Sequence, residues 1–298
     1  MQESILGNLT ATKEVLVAAG VIGTPQLMLN SGIGDPQDLN EVEVPVVHAL
    51  PDVGKNMHNQ PEARTLWTYR DPTPPINRTL ALEQWTRNRT GPLSEGGVAH
   101  LVLWARFPPS SSLWKDYPDP SSGPYTAHAE IVLAILGNEV GALVGLMSPT
   151  SRGCVTIRSN NPFDEPIVDP GLLKTQYDLL ALKESVRISK QFFSGAEFSS
   201  NGYLLNASFV DPEEVSDTEW EACIRNTVNP KFHGVGTASI SKVGDRRGVV
   251  DPDLRVKGVT GLRIVDASII PEVPAGHTQV PSYIVGERAA DLIKALWT

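Results

Sequence analysis

Glu14-Val-Leu-Val-Ala-Ala-Gly-Val-Ile-Gly-Thr-Pro-Gln-Leu-Met-Leu-Asn-Ser-Gly-Ile-Gly34 decides how the rest of the chain is read. Val15 to Ala19 is a short apolar run with β-branched residues, expected as a buried strand that runs into a turn at Gly20. Thr24-Pro25 is expected to open a helix, because Thr caps well and Pro is favoured at the first helical position. Ser31-Gly-Ile-Gly34 closes it with glycines that tolerate positive φ. Strand, glycine turn and helix make half of a βαβ unit, which implies a parallel sheet.

Outward from this stretch the pattern changes twice. Val44 to His48 is a further strand candidate, and Pro51-Asp-Val-Gly-Lys-Asn-Met-His58 is a compact polar turn. From about residue 63 the chain carries many Trp, Pro, Arg and Ser residues, with loops such as Phe107-Pro-Pro-Ser-Ser-Ser112. Strands are expected at Ala99–Trp104, Ala129–Leu136 and Val155–Arg158, without a parallel-sheet rhythm, so this part reads as an antiparallel sheet with long loops. Leu172, Leu179, Leu182, Val186 and Phe193 recur at helical spacing up to Ser194-Gly195. Ser216 and Glu219 form a capping-box pattern for a second helix. A strand at Leu262 that ends on Asp266, and a helix over 282–296, complete the chain.

The 298 residues, 41% hydrophobic, suffice for two domains. A net charge of -9 argues against nucleic acid or an anionic membrane as partner. Ile131 to Met147 is the most apolar stretch, but Asn138, Glu139 and three glycines interrupt it, so no membrane span is expected. The start lacks the basic and apolar run of a signal peptide. Sequons at Asn8, Asn77, Asn88 and Asn206 point instead to a secreted glycoprotein. Cys154 and Cys223 leave pairing and two buried free thiols equally open.

Two histidines stand in Gly- and Pro-rich loops, His233 in Thr227–Thr237 and His277 in Val273–Pro281. Histidine is the side chain best suited to take a proton near neutral pH, and flanking glycines let a ligand approach. Each alone also reads as a loop histidine bonded to a carbonyl. Asp266 between them suits either a sugar or phosphate-linked group at a sheet's carboxyl edge or a cap on the next turn. His48, His58, His100 and His128 show no metal-ligand spacing and read as structural.

Gly23–Gly34 resembles the second signature of the glucose-methanol-choline (GMC) oxidoreductases, and Pro51–His58 the turn that follows it. His233–Thr237, Val250–Val256, Gly261–Ser268 and Glu287–Ile293 fit that family's C-terminal region in order. The resemblance implies an α/β plus α+β architecture: the C-terminal part of a Rossmann-like FAD-binding domain (residues 1–62 and 226–298) with an antiparallel-sheet substrate domain (63–225). The family's Gly-x-Gly-x-x-Gly portion is not in this chain, so an N-terminal FAD-binding part is expected to lie outside it.

By the same resemblance, His233 is the base that takes the hydroxyl proton of an alcohol as hydride leaves for FAD, and His277 holds the developing alkoxide. Asp266 and Ala267 are implied at the FAD pyrophosphate, Thr278, Gln279 and Val280 near the flavin ring, and Phe232 against the substrate, as in fungal aryl-alcohol oxidases. The expected reaction converts a primary aryl or allylic alcohol to its aldehyde, with O2 (or a quinone) as acceptor. The alternatives are a hydroxynitrile lyase on this fold and a chain that cannot hold FAD.

Overall fold

The computed structural model describes Gly7 and residues 9–69, 76–94, 99–136, 138–199 and 204–297; the sequon at Asn8 lies outside them. The chain opens with β1 (Val15–Val17), α1 (Gly20–Asn30), β2 (Ile33–Gly34), α2 (Pro36–Glu41) and β3 (His48–Ala49). β4 (Pro61–Tyr69), α3 (Arg78–Asn88), β5 (Ala99–Ala105), β6 (Ala129–Leu136) and β7 (Glu139–Leu146) follow, then β8 (Cys154–Thr156) and β9 (Ile167–Asp169). After α4 (Gln176–Phe193), α5 (Ala196–Ser199), β10 (Leu204–Ala207), α6 (Asp217–Thr227) and β11 (Asn229–Pro230) come β12 (Leu262–Ile264) and α7 (Gln279–Trp297).

The parallel element is present and small. β1 pairs with β12, Val15 against Leu262 and Val17 against Ile264. β1 is shorter than expected, and Val15 and Leu16 are 49% and 46% exposed rather than buried. Among the described residues β1 has only β12 as a sheet neighbour, so one edge and part of its faces stay open.

α1 begins at Gly20, four residues before Thr24, which corrects the expected start. The N-cap is Ala19 and not Thr24, whose hydroxyl, inside the helix, accepts from Ala19 N–H and donates to Asp266 Oδ2 at 2.6 Å. Asp266 Oδ2 also accepts from Gly20 N–H at 3.1 Å, so the residue just past β12 satisfies an orphan amide of α1. Pro25 sits within the helix and cannot bond the carbonyl four residues back. That carbonyl, on Val21, accepts from the Thr237 hydroxyl at 2.7 Å instead. A hydroxyl in the His233 loop therefore lets α1 run through a proline.

The antiparallel sheet is as expected in type. Its order is β10-β4-β7-β6-β5, with β11 also on β4. The apolar stretch from Ile131 to Met147 folds as the β6–β7 hairpin, Ala129 opposite Leu146, and no helix among the described residues is long and apolar enough to cross a membrane. β4 and β7 had no clear sequence signal. In β7, Gly141 passes so close to β4 that a Cβ would lie 2.0 Å from the Thr65 carbonyl oxygen, so this position cannot carry a strand-favouring side chain. α4 covers the sheet with Leu179, Leu182, Val186 and Phe193. The Thr65 and Ser189 hydroxyls bond at 2.6 Å across that interface, and the Trp67 ring lies 4.8 Å from that of Phe193, tilted by 44°.

Other boundaries shift. Leu172 precedes α4, whose cap is Thr175. The Val44–His48 strand candidate becomes His48–Ala49 and the Val155–Arg158 candidate Cys154–Thr156. β12 ends at Ile264, two residues before Asp266, and α7 starts at Gln279. The capping box at Ser216 and Glu219 is formed. Cys154 and Cys223 are free and only half-buried.

Candidate active site

His233 and His277, 44 positions apart in sequence, meet with ring centroids 4.6 Å apart and planes 40° to each other. Two loops bring them together. The first leaves β11, whose residues Asn229 and Pro230 lie opposite Glu62 and Pro61 of β4, and returns through a bridge between His58 and Val235. Gly236 at φ +90° follows, where a Cβ would lie 2.5 Å from the Asn56 carbonyl oxygen, so glycine is required for this close approach. The second loop runs from Val273 into the first turn of α7.

The two rings have different partners. His233 Nδ1 lies 2.8 Å from Gln60 Oε1, and its backbone N–H donates to Asn59 Oδ1 at 3.1 Å. Burial, reinforced by repulsion from His277 and Lys231 and opposed by Glu130, pushes the His233 imidazole down to about 4. It is thus neutral, as a base must be. His277 Nε2 lies 3.1 Å from both carboxylate oxygens of Glu130, a fully buried residue on β6. Lys231 Nζ balances that charge at 2.8 Å and reaches Glu62 at 3.2 Å. One histidine is held by an amide and the other by a carboxylate.

The surroundings are aromatic. Trp104 of β5 has its ring 6.4 Å from that of His277. Phe232 is 87% exposed with φ +60°, a left-handed conformation rare for a bulky residue. Thr278 accepts from Ser282 N–H at 3.0 Å, and Gln279 and Val280 form the first turn of α7. Asp266 and Ala267 stand at the start of a short 3-10 turn, with Asp266 Oδ1 accepting from Ser268 N–H at 2.7 Å. The capping role weighed for Asp266 is therefore filled. Of the other histidines, His48, His58 and His128 bond within the fold, and no metal-ligand group occurs among the described residues.

Sequence reading missed Gln60, Glu130 and Lys231. Glu130 had a signal: a carboxylate inside the apolar run Ala129–Leu136 is an anomaly that calls for a partner. Gln60 and Lys231 had none, since uncharged amides and loop lysines are ordinary.

Residues 2–62 match the N-terminal part and residues 149–286 the C-terminal part of one family, GMC oxidoreductase. The chain belongs to the GMC oxidoreductase family. It is 39% identical to dehydrogenase eriK of Hericium erinaceus and 34% identical to a pyranose dehydrogenase of Agaricus campestris, each over 96% of this chain and 51% of the relative. The chain thus spans about half the length of these relatives. Among solved structures, an Aspergillus oryzae formate oxidase studied for FAD modification superposes with TM-score 0.85 at 28% identity, covering 96% of this chain and 55% of the other. A fungal aryl-alcohol oxidase superposes with TM-score 0.82 at 25% identity, covering 99% and 56%. The mixed fold with an antiparallel sheet is the GMC fold.

Proposed function

We propose that this chain carries the proton-transfer site of an FAD-dependent enzyme that oxidises a primary alcohol, aryl or allylic, to its aldehyde with O2 as acceptor. The observation that carries the reading is the His233–His277 pair, one ring held neutral and the other backed by a buried carboxylate. His233 accepts the hydroxyl proton at Nε2, because Nδ1 is engaged with Gln60. His277, with Nε2 on the Glu130 carboxylate, offers its other ring nitrogen, Nδ1, to the same oxygen. FAD, when bound, supplies the two-electron acceptor for the hydride.

The residues present fit part of an FAD site. Asp266 is spent on α1, so what this turn offers the pyrophosphate is backbone N–H groups at Asp266 and Ala267. Ser268 Oγ, buried beside them without a partner among the described residues, is an unspent hydrogen-bonding group. Thr278, Gln279 and Val280 adjoin His277 and would hold the flavin ring. Phe232 and Trp104 offer flat apolar surface to an aryl or allylic group. Secretion rests on the sequons, of which Asn77, Asn88 and Asn206 are exposed. Two separate cores support the domain division, one from residues including Val17, Leu29, Val250 and Ile264, the other from Ala63, Val144, Leu182 and Trp220.

The pyranose dehydrogenase similarity favours a second reading, in which the aromatic surface stacks on a sugar ring. Anaerobic mixing of the FAD-loaded protein with a benzylic alcohol, an aldopyranose and an aromatic cyanohydrin separates the cases. Bleaching of the flavin by the benzylic alcohol is expected. Bleaching by the sugar alone replaces the substrate class, and cyanohydrin cleavage without bleaching replaces oxidation by lyase chemistry.

A further inference from the structure

Three consecutive residues, His58-Asn59-Gln60, hold both histidine loops, and each does so with a different group. His58 Nε2 donates to the Pro149 carbonyl at 2.9 Å, which leaves Nδ1 to accept from Val273 N–H at 2.9 Å. Asn59 Oδ1 accepts from His233 N–H. The Gln60 backbone carbonyl accepts from Lys231 N–H at 2.9 Å. Its side-chain Nε2 donates to the Pro274 carbonyl at 2.9 Å and lies 3.5 Å from the Gly276 carbonyl oxygen. Gln60 is fully buried and His58 and Asn59 nearly so.

These bonds fix which way the Gln60 amide points. Were it flipped, its oxygen would face two carbonyl oxygens and its NH2 would face His233 Nδ1. With the NH2 on the carbonyls, Oε1 can only accept, so Nδ1 of His233 must carry the ring proton. The lone pair that can take a substrate proton is then on Nε2. The choice is made by two carbonyls in the loop that carries His277.

We propose that Gln60 is the positioning residue that fixes His233 as the Nδ1–H tautomer, and that the Pro274 and Gly276 carbonyls set the orientation of Gln60, so the second histidine loop selects the base atom of the first. The tautomer assignment rests on geometry alone, whereas its catalytic meaning rests on the reading of His233 as base.

The test is long-range 15N–1H spectroscopy of the histidine-labelled chain, which reads each ring nitrogen without cofactor or turnover. The wild type is expected to show His233 protonated at Nδ1 and bare at Nε2. Gln60→Leu should lose that state in favour of Nε2–H. Gln60→Glu, protonated on the oxygen that faces the Pro274 and Gly276 carbonyls, restores an acceptor and should keep Nδ1–H. The Val273 amide, held by His58, reports whether the loops remain docked. A wild-type His233 protonated at Nε2, or an unchanged tautomer in a folded Gln60→Leu, overturns the proposal. If Gln60→Leu does not fold, the wild type and Gln60→Glu decide, and a Gln60→Glu with His233 protonated at Nε2 overturns it. Intact flavin reduction in His233→Ala would remove the base reading and leave this assignment standing.

Discussion

At the residue scale the site depends on what His233 loses by being half-buried beside Lys231 and a second histidine. Its folded-state value of about 4 lies below the ordinary 6.5. Between these values the unfolded chain binds a proton that the folded chain does not, so folding stability falls as pH drops from about 6.5 to about 4 and is fully present above that window. A His233→Gln variant should flatten this part of the stability–pH curve, measured by urea unfolding at several pH values; an identical slope would show that His233 titrates normally. The acid limb of flavin reduction is expected near pH 4 in the protein without bound substrate. The two histidines were legible because glycines surround them and because ordered motifs flank them. Gln60 and Lys231 were not, because their meaning exists only where β4, β6 and the two loops converge.

At the scale of elements, sequence pattern found what carries its own periodicity. α4, α6 with its capping box and the β6 run were readable from spacing alone. α1 was found but misplaced, since Thr24-Pro25 is a good local start signal and the true start is fixed by Asp266, more than two hundred residues away. The proline then relies on Thr237. Replacing the fully buried Thr237 by Val keeps the volume but leaves the half-buried Val21 carbonyl without its partner. That should cost about 1–3 kcal/mol in urea unfolding; a cost near zero would mean that α1 tolerates Pro25 unaided. β4 and β7 escaped notice because the glycines of β7 and the polar residues of β4 suit close strand approach and helix contacts rather than simple alternation.

At the scale of the molecule, one segment at residues 56–62 joins the two cores. It leaves the parallel part of the fold, bridges to the His233 loop, holds the His277 loop and continues as β4 of the antiparallel sheet. The histidine pair therefore sits where the core that holds β1 and β12 meets the antiparallel sheet, with Glu130 reaching in from the sheet and α7 leading away. The architecture was legible in kind, as a partial parallel unit and an antiparallel sheet, but the open face of β1 was not, since exposure depends on which neighbours are present. The central claim is that His233 takes the alcohol proton. Stopped-flow reduction of flavin by a benzylic alcohol, anaerobic and with FAD in excess, tests it most directly. Reduction in His233→Ala is predicted to be slower by on the order of a hundredfold or more, and a rate equal to wild type would contradict the account.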